Sequence, residues 1–472
     1  MTAGTVPDAS RTAHAAPALR HHRVPAWYAD VAGSLMWVSL LVVTAMWVAN
    51  GGLQNTFAGF AGGLISLGRL TGLLSADLLL IQVLLMSRIP FVEQGYGQDE
   101  LARRHRLIGF TSFNLMLAHI ALTVLGYTGT GSLGLIGQTW DLVANYPGML
   151  LATAASVLLV LVVVTSVKAA RASVRYESWH LLHLYAYLGV GLAIPHEVWT
   201  GADFIASPLS RLYWWSLYAA ALLAILGWRV GLPVYRSLRH RIVVHRVVRE
   251  APGVVSIYLR GRDLDRIDAR AGQFFTWRFL DGPGWTRGHP YSLSAAPTRD
   301  TLRITVKNLG DGSARLAGVR PGTKVRSEGP YGRVHGGVRT RRRITLLASG
   351  IGITPLRALL EELPYAPGEA TLIYRARETR DVTFKREIDA LAQRRGARVF
   401  YVLGRRVRNR ASWLPENAEH LSDAAALLEL VPDIAEHDVY LCGADAWMDA
   451  AQAAAVAAGV PAENVHAERF TW

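Results

Sequence analysis

The stretch that decides the fold of the C-terminal part is Ile344-Thr-Leu-Leu-Ala-Ser-Gly350-Ile-Gly352-Ile-Thr-Pro355. Its apolar first half predicts a buried strand, and the two glycines and the proline predict a tight turn into a helix. Such a turn can bring a phosphate close to the N-terminus of the helix. Because the stretch is not a complete G-x-G-x-x-G, a purely structural turn is the alternative interpretation.

The surrounding residues predict two domains with different sheets. Residues 339–472 alternate the strands Ile344–Ala348, Thr371–Tyr374, Val399–Val402 and Val439–Leu441 with the helices Pro355–Leu363, Thr383–Arg394 and Ala446–Ala458. This alternation predicts an α/β, Rossmann-like parallel sheet, and the glycine turn within it makes residues 339–472 the predicted NAD(P)-binding domain. Residues 237–338 contain the short runs Ile242–Val248, Val254–Leu259, Phe274–Phe279, Leu302–Val306 and Lys324–Ser327, separated by Pro and Gly. They predict an antiparallel β-barrel.

The N-terminal half contains six apolar stretches, at roughly 29–49, 62–86, 107–127, 147–167, 180–200 and 209–229. A stretch of about 20 apolar residues is long enough to cross the hydrocarbon core of a bilayer. The sequence therefore predicts a six-helix transmembrane domain over residues 29–236. Residues 1–28 precede it as a polar tail, without the pattern of a removed signal peptide.

Basic residues are distributed unequally between the two ends of these spans. The tail, the segments after spans two and four, and the segment that leaves span six carry lysines and arginines, whereas residues 50–61, 128–146 and 201–208 carry none. By the positive-inside rule, both termini of this multi-pass protein lie on the cytoplasmic side of the plasma membrane.

Composition excludes several classes of function. The net charge of +14 does not indicate a nucleic-acid partner, because much of the excess lies in juxtamembrane arginines and in the predicted phosphate-binding module. A single cysteine, Cys442, excludes an internal disulfide and a cysteine-held iron–sulfur cluster or zinc site. Redox chemistry in this chain would therefore depend on organic cofactors or haem.

Four histidines lie in or at the ends of the third and fifth spans. His105 and His119 are 14 residues apart, and His183 and His196 are 13 apart. Histidines are costly in a bilayer unless they bind something, and a rise of about 20 Å would place each pair of positions at two depths. Since both spans run outward, we expect His105 to face His183 at an inner haem and His119 to face His196 at an outer one. Hydrogen-bonded interfacial histidines are the alternative.

Three further residues bear on this prediction. The 13-residue spacing turns its two side chains about 140° apart on an ideal helix, and Pro195 offers a partial remedy because it can kink the helix. His180 is an alternative inner ligand. Arg69, inside the second span, predicts a buried anion such as a propionate of the outer haem, the alternative being that it reaches the outer headgroups.

The segment Arg287-Gly-His-Pro-Tyr-Ser-Leu-Ser294 predicts a flavin site. Tyr291 can lie against an isoalloxazine ring, Ser292 can bond near its N5 atom, and an Arg or His can meet the pyrophosphate. Gly310-Asp-Gly-Ser313 can hold phosphate oxygens. Each motif alone fits a plain turn, but with Gly329-Pro-Tyr-Gly332 in this order they predict bound FAD. The candidate residues are Arg287, His289, Pro290, Tyr291, Ser292, Gly312 and Ser313.

The candidate nucleotide-binding residues are Gly350, Gly352, Thr354, Pro355, Arg375, Arg377, Cys442 and Gly443. Arg375 and Arg377 end the next strand, where an NAD site has an acid, and so favour the 2′-phosphate of NADPH over NADH. Solvated arginines are the alternative. Cys442 can border the nicotinamide or be a buried structural residue. The terminal Trp472 can cover the flavin until nicotinamide displaces it, or simply dock.

Together these motifs resemble the ferric reductase and NADPH oxidase superfamily, and more closely bacterial ferric-reductase-like proteins fused to a ferredoxin-reductase-type module. The histidine spacings, His-Pro-Tyr-Ser, the glycine turn, Cys-Gly and the terminal aromatic carry the resemblance, which covers the chain from about residue 30. His289 stands where soluble ferredoxin reductases have arginine, as in the oxidase branch. The resemblance implies that electrons pass from NADPH through FAD and two haems b to an outside acceptor, without direct binding to six-coordinate iron.

Three functions are compatible with this resemblance. The first is a transmembrane oxidase or ferric-chelate reductase, and the second is a membrane reductase that feeds a quinone or a periplasmic partner. The third, a haem-binding sensor with a degenerate reductase module, is disfavoured by the near-complete motifs. Because the outer loops offer only Asp141 and Asp203 as hard ligands, dioxygen is favoured over a ferric chelate, with Arg69 stabilising superoxide. Membrane lipid is expected around the spans, and no obligatory protein partner is evident.

Overall fold

The computed structural model describes residue 25 and residues 27–167, 176–282 and 287–469. Its N-terminal region is helical as far as His240. The helices are α1 (Trp27–Ala49), α2 (Gly52–Thr56), α3 (Phe60–Met86), α4 (Pro90–Tyr96), α5 (Gln98–Thr130), α6 (Leu135–Asn145), α7 (Met149–Ser166), α8 (Tyr176–Trp199), α9 (Ala202–Ile205), α10 (Pro208–Ala224) and α11 (Leu232–His240). A π-helical segment, Ile225–Gly231, joins α10 to α11.

Five helices in the described part of the chain are long and apolar enough to cross a membrane, namely α1, α3, α5, α7 and the continuous helix Pro208–His240. The sixth predicted span is the helix α8, which is not among these five and carries several polar residues, including Glu197. Large apolar side chains such as Leu41 and Leu150 are exposed on the helical region. A lipid environment would cover these surfaces.

Small residues bring α3 and α5 close together. A Cβ on Gly68 would lie 2.7 Å from the hydroxyl of Thr123, and a Cβ on Gly72 would lie 2.7 Å from the ring of His119. Glycines spaced four residues apart on one helix face permit this close approach of two helices in a membrane. The second extensive helix contact joins α7 to α8.

Residues 243–331 form two three-stranded antiparallel sheets. Their elements are β1 (Val243–Ala251), β2 (Val254–Arg260), β3 (Phe274–Phe279), β4 (His289–Ser292), β5 (Thr301–Lys307), α12 (Asp311–Leu316) and β6 (Val325–Tyr331). The strand orders are β1-β2-β5 and β4-β3-β6, and the side chains of Ile257, Phe275 and Trp277 are fully buried in a shared core. The five predicted strands are confirmed. The isolated bridges Val243–Lys324 and Leu293–Ile304 join the two sheets, so the six strands form a barrel. The additional strand β4 lies at an edge, where a sheet tolerates Pro290.

Residues 343–467 form a five-stranded parallel sheet with the order β11-β10-β7-β8-β9. Its elements are β7 (Arg343–Ser349), α13 (Ile353–Glu362), β8 (Ala370–Ala376), α14 (Lys385–Arg395), β9 (Arg398–Leu403), α15 (Asp423–Leu430), β10 (His437–Cys442), α16 (Asp445–Ala457) and β11 (Val465–Ala467). The four predicted strands and three predicted helices are confirmed. The sequence does not predict β11 and α15, because both are too short for a clear periodic pattern.

Candidate functional site

The four histidines form two pairs between α5 and α8. The ring centroids of His105 and His183 are 5.9 Å apart, and those of His119 and His196 are 6.2 Å apart. A metal ion bound by two imidazoles lies about 2 Å from each nitrogen, so the two ring centres are about 6 Å apart. Both pairs have this separation. They are also the pairs that the sequence predicts.

Three of these imidazoles have a contact that orients the ring. The contacts of Nδ1 are 2.8 Å to the Gly68 carbonyl for His119, 2.7 Å to the Thr200 hydroxyl for His196, and 3.3 Å to the Ser166 hydroxyl for His183. Metal-binding histidines generally use one ring nitrogen in this way and leave the other to the metal. Two imidazoles per site fit the axial positions of haem iron, whereas a structural zinc ion requires four ligands.

The 13-residue spacing on α8 does not prevent both pairs from forming. Pro195 lies inside α8, where it removes a helix hydrogen bond and allows the following turn to shift. This turn contacts the start of α7 so closely that a Cβ on Gly148 would lie 2.7 Å from the backbone nitrogen of His196. The ring of His183 lies beside that of His105, as the sequence predicts for the inner pair.

The anion beside Arg69 is the carboxylate of Asp203. Nε of Arg69 donates to Oδ2 of Asp203 at 2.8 Å, and a terminal nitrogen lies 2.6 Å from the same oxygen. Asp203 is buried and also accepts a hydrogen bond from Asn50 at 2.9 Å. Asp203 is therefore the anion that neutralises Arg69 in the structure, a partner that the sequence analysis does not predict. The sequence does not indicate this pair because Asp203 on α9 and Arg69 on α3 are far apart in the chain.

The strand β4 places the predicted flavin residues at the edge of a sheet. Ser292 lies opposite Phe274 on β3, and Phe274 lies opposite Tyr331 on β6. The Ser292 hydroxyl is buried and has no hydrogen-bond partner among the described residues. Because a buried hydroxyl without a partner is costly, a polar ligand atom such as flavin N5 would satisfy it. The buried Ser292 hydroxyl without a partner is the structural observation that fits bound FAD.

The other residues of the His-Pro-Tyr-Ser motif surround Ser292. The rings of His289 and Tyr291 stack with centroids 6.1 Å apart, and Pro290 lies opposite Thr276 in the sheet. Trp277 donates from Nε1 to the carbonyl oxygen of Tyr291 at 3.1 Å, which ties the motif to the barrel core.

The Gly310–Ser313 turn lies beside this motif. A Cβ on Gly312 would lie 2.8 Å from the His289 ring, so a glycine is needed where α12 meets β4. The Ser313 hydroxyl accepts from the backbone N–H of Leu309 at 2.8 Å and donates to the Gly310 carbonyl at 2.9 Å. This hydroxyl therefore closes its own turn. Arg287 is exposed and lies two residues before the start of β4.

The predicted glycine turn lies between β7 and α13. Gly350 has φ +55°, a left-handed conformation that favours glycine. Gly352 lies against the carbonyl oxygen of Cys442 with no room for a Cβ. The Thr354 hydroxyl donates to a carbonyl of the turn at 3.0 Å, and Pro355 lies in the first turn of α13. This geometry leaves the turn at the carboxyl edge of the sheet, where nucleotides bind in such folds.

Arg375 and Arg377 lie in different environments. The Arg375 side chain is buried, and its guanidinium donates to the backbone carbonyls of Ala376, Val402 and Arg405. It stabilises the loop that follows β9 and is not open to a nucleotide. Arg377 is exposed at the same edge and is the better placed of the two to bind a phosphate.

Cys442 meets Glu468, a residue that no sequence motif indicates. The buried Cys442 thiol donates to the carbonyl oxygen of Glu468 at 3.7 Å, and burial raises the pKa of this thiol. The Glu468 carboxylate lies directly against Gly332 of the Gly-Pro-Tyr-Gly motif. Burial, reinforced by the nearby Asp99 and Glu93, raises the pKa of Glu468. A carboxyl group thus lies where the barrel, the parallel sheet and α5 meet.

Two remaining candidates concern the same edge. A Cβ on Gly443 would lie 2.8 Å from the Cβ of Ser349, so the ends of β10 and β7 are in close contact there. Trp472 lies outside the described residues.

Two family models match the chain. Residues 71–194 match the ferric reductase like transmembrane component, and residues 346–453 match the oxidoreductase NAD-binding domain. Ferredoxin–NADP reductase B of Sorangium cellulosum is 30% identical over 236 residues, which are 46% of this chain and 93% of that protein. The chain belongs to the ferric reductase-like membrane proteins with a fused ferredoxin-reductase-type module.

Other relatives of this ferric reductase-like protein match about half of it. The ferredoxin reductase component of 3-ketosteroid-9-alpha-monooxygenase from Mycobacterium tuberculosis is 32% identical over 212 residues, which are 43% of this chain. The chain spans 56% of the length of that relative. The FAD/NAD-binding domain of a nitric oxide dioxygenase from Vibrio cholerae is 24% identical, with a TM-score of 0.40, over 49% of this chain and 99% of that structure.

The protein is therefore an integral membrane oxidoreductase. Membership of the ferric reductase-like family implies haem in the helical region, and the NAD-binding domain belongs to the oxidoreductase type.

Proposed function

We propose that the protein moves electrons from cytoplasmic NADPH, through FAD and two haems b, to an acceptor on the outer side of the membrane. The observation that supports this proposal most strongly is that the histidines of α5 and α8 form two pairs of neighbouring imidazole rings. Each helix carries its two histidines 13 or 14 residues apart, a rise of about 20 Å. Two sites at these depths would divide the crossing of a core of about 30 Å into shorter steps.

The residues of the reductase module have distinct tasks in this proposal. FAD held by this module would supply the chemistry that couples two-electron oxidation of a nicotinamide to one-electron reduction of haem. The Ser292 hydroxyl would donate to the flavin, and Tyr291 would cover its ring. The glycine turn at Gly350 and Gly352 admits the pyrophosphate to the N-terminus of α13. Arg377 binds the 2′-phosphate, which gives a preference for NADPH.

Dioxygen is the acceptor that the outer side of the helical region fits best. Among the described residues there, the acids are already bonded: Asp203 to Arg69, Glu197 to the Tyr218 hydroxyl, and Asp141 to side chains of its own helix. A ferric chelate would need open carboxylates, whereas a small neutral oxidant does not. If the two imidazoles of a pair both ligate one haem, no iron position would remain open, and dioxygen would be reduced without binding to iron.

A membrane reductase that feeds another acceptor is the second candidate. It is favoured by the relative that is named as the reductase component of a monooxygenase. This candidate predicts slow NADPH oxidation by the purified protein until a quinone or a protein acceptor is added.

The test uses the full-length protein in lipid nanodiscs. When NADPH is added in the absence of air, the absorbance spectrum should show reduction of the flavin first and of the haems afterwards. Admission of air should then produce superoxide, detected as cytochrome c reduction that superoxide dismutase suppresses. If air yields neither superoxide nor peroxide and ferric citrate accelerates turnover, the acceptor is a ferric chelate. If neither air nor ferric citrate accelerates turnover but a quinone does, the second candidate is correct.

A further inference from the structure

Arg88 lies where the helical region meets the barrel, in the turn between α3 and α4. Its backbone φ is +68°, a left-handed conformation that is unfavourable for a residue with a side chain. Only 11% of the side chain is exposed. A buried charge on a strained turn requires strong contacts to compensate for both costs, and the contacts of Arg88 reach two separate parts of the protein.

The first set of contacts is on the helical side. Arg88 donates to the side chain of Gln98, the first residue of α5, and lies 3.3 Å from Oε1 of Glu93 on α4. His105 follows Gln98 on the same helix by seven residues, which is about two turns. Arg88 is therefore bonded to the start of the helix that carries the inner histidine.

The second set of contacts is on the barrel side. The guanidinium lies 4.1 Å from the centre of the Tyr331 ring, and its Nε lies 3.8 Å from Oε1 of Glu328. The Tyr331 hydroxyl donates to the same carboxylate at 3.0 Å. In the register of the sheet, Tyr331, Phe274 and Ser292 form one row across β6, β3 and β4. Arg88 thus contacts one end of a row whose other end is the candidate flavin serine.

Arg88 is the cation at this junction that lies near carboxylates of both regions, while Arg278 on β3 lies 3.3 Å from the second oxygen of Glu328. The guanidinium of Arg88 lies between Glu93 on the helical side and Glu328 on the barrel side. Burial raises the pKa of Glu93 to about 7, although Arg88 acts in the opposite direction. Without the guanidinium, two carboxyl groups would share a buried interface with less compensation, and the two regions would separate slightly.

The geometry points to Arg88 as a positioning residue that holds the row Ser292–Phe274–Tyr331 at a fixed distance from the start of α5. This inference rests on the proposed function, because the distance matters only if electrons pass from the flavin to the inner imidazole pair. Electron transfer falls steeply with distance, so a small displacement of the barrel would slow this step. Reduction of the flavin by NADPH takes place within the module and would not change.

The test compares Arg88→Met with the matched control Arg239→Met. Arg239 also joins the helical region to the barrel, through Asp263 at 3.4 Å, but its side chain is 36% exposed and it makes none of the contacts with β6 described above. Flavin and haem absorbance are followed without air after rapid mixing with NADPH. Arg88→Met should leave flavin reduction within about twofold and slow haem reduction about tenfold or more, as a misplacement of reacting groups does. The control should match the wild type.

A second readout does not depend on turnover. Hydrogen–deuterium exchange of residues 98–105 and 325–332 should rise together in Arg88→Met and not in Arg239→Met, with FAD and haem content unchanged. Glu328→Gln keeps Arg88 and should show smaller increases in exchange and a smaller decrease in the haem reduction rate. This variant replaces Arg88→Met in the test if Arg88→Met does not assemble. Arg88→Lys should restore part of the haem reduction rate.

The outcomes separate this inference from the proposed function. If wild-type haem is not reduced by NADPH, the proposed function is wrong. If it is reduced, and Arg88→Met and Glu328→Gln both reduce haem at the wild-type rate, the positioning role is wrong. Loss of flavin reduction in Arg88→Met would also overturn it, because Arg88 would then act on the module itself.

Discussion

The helical region and the reductase module hold their candidate cofactor residues by different means. In the helical region, His119 depends on another helix, because Gly72 of α3 leaves room for its ring and the Gly68 carbonyl orients it. In the module, Ser292 is placed by strand register and Gly352 by a turn between consecutive elements. The first arrangement is sensitive to the spacing of helices, and the second is sensitive to local backbone geometry.

The hydrogen-bond partners of polar groups also differ between the two regions: they are distant in sequence in the helical region and local in the module. Asp77 on α3 accepts hydrogen bonds from Ser39 and Tyr213, which lie on α1 and α10. In the module, the Ser313 hydroxyl bonds within its own turn. Buried polar groups in the membrane can be satisfied only by other protein groups, so long-range pairing is expected there. Substitutions should therefore alter haem binding in one region and the nucleotide or flavin steps in the other.

The largest effect expected from this comparison is that of Gly72→Val. A Cβ added at this position would lie 2.7 Å from the His119 ring, and valine adds two further methyl groups. The outer imidazole pair should open and the outer haem should be lost, while flavin reduction by NADPH persists. Haem content per chain measures this. Gly191→Ala on α8, where a Cβ meets nothing within 4 Å, is the control. Full haem content in Gly72→Val would show that α3 does not constrain the pair.

Gly352→Ala tests the corresponding dependence of the module on a turn. The added methyl group would meet the Cys442 carbonyl, which is backbone and cannot move aside as a side chain can. NADPH oxidation should fall by about 100-fold with haem content unchanged, because misplacement of the bound nucleotide by about 1 Å is sufficient for such a loss. Gly318→Ala, with an ordinary 3.7 Å contact, is the control. Normal turnover in Gly352→Ala would contradict the placement of the nucleotide at this turn.

Arg69→Ala distinguishes a structural ion pair from a residue that acts on the acceptor. It leaves the buried Asp203 without its partner and should lower stability by about 2 kcal/mol, less than a fully buried pair would, since 30% of the Arg69 side chain is exposed. Asp203→Asn in the same chain should restore stability and turnover, which thermal unfolding and NADPH oxidation would show. A stable double variant that still fails to reduce dioxygen would assign Arg69 to the acceptor step.

The smallest effects are expected from the two arginines at the end of β8. Arg377→Ala should raise the KM for NADPH by about tenfold and leave that for NADH unchanged, because a phosphate contact is lost. Arg375→Ala should instead lower stability by about 2 kcal/mol, because its hydrogen bonds to backbone carbonyls are lost. Steady-state kinetics with both nucleotides separates the two. A selective NADPH effect in Arg375→Ala alone would reverse these assignments.

The two regions were also predictable to different degrees. The strands of the module follow from local hydrophobic patterns, and the histidine pairs follow from two similar spacings on spans of the same direction. The Asp203 partner of Arg69, the contacts of Arg88 and the position of Glu468 could not be predicted, because each depends on residues far apart in sequence. The burial of Arg375 was missed for a related reason, since its carbonyl partners include the loop after the neighbouring strand β9.

The central claim is that each imidazole pair holds one haem, and the most direct test counts haem in single and double variants. Quantitative haem extraction, combined with low-temperature spectra of the oxidised protein, measures content and ligation together. The wild type should contain two six-coordinate, low-spin haems b per chain, each of His105→Leu and His196→Leu should contain one, and the double variant should contain none. One haem in the wild type, or two in either single variant, would contradict the claim.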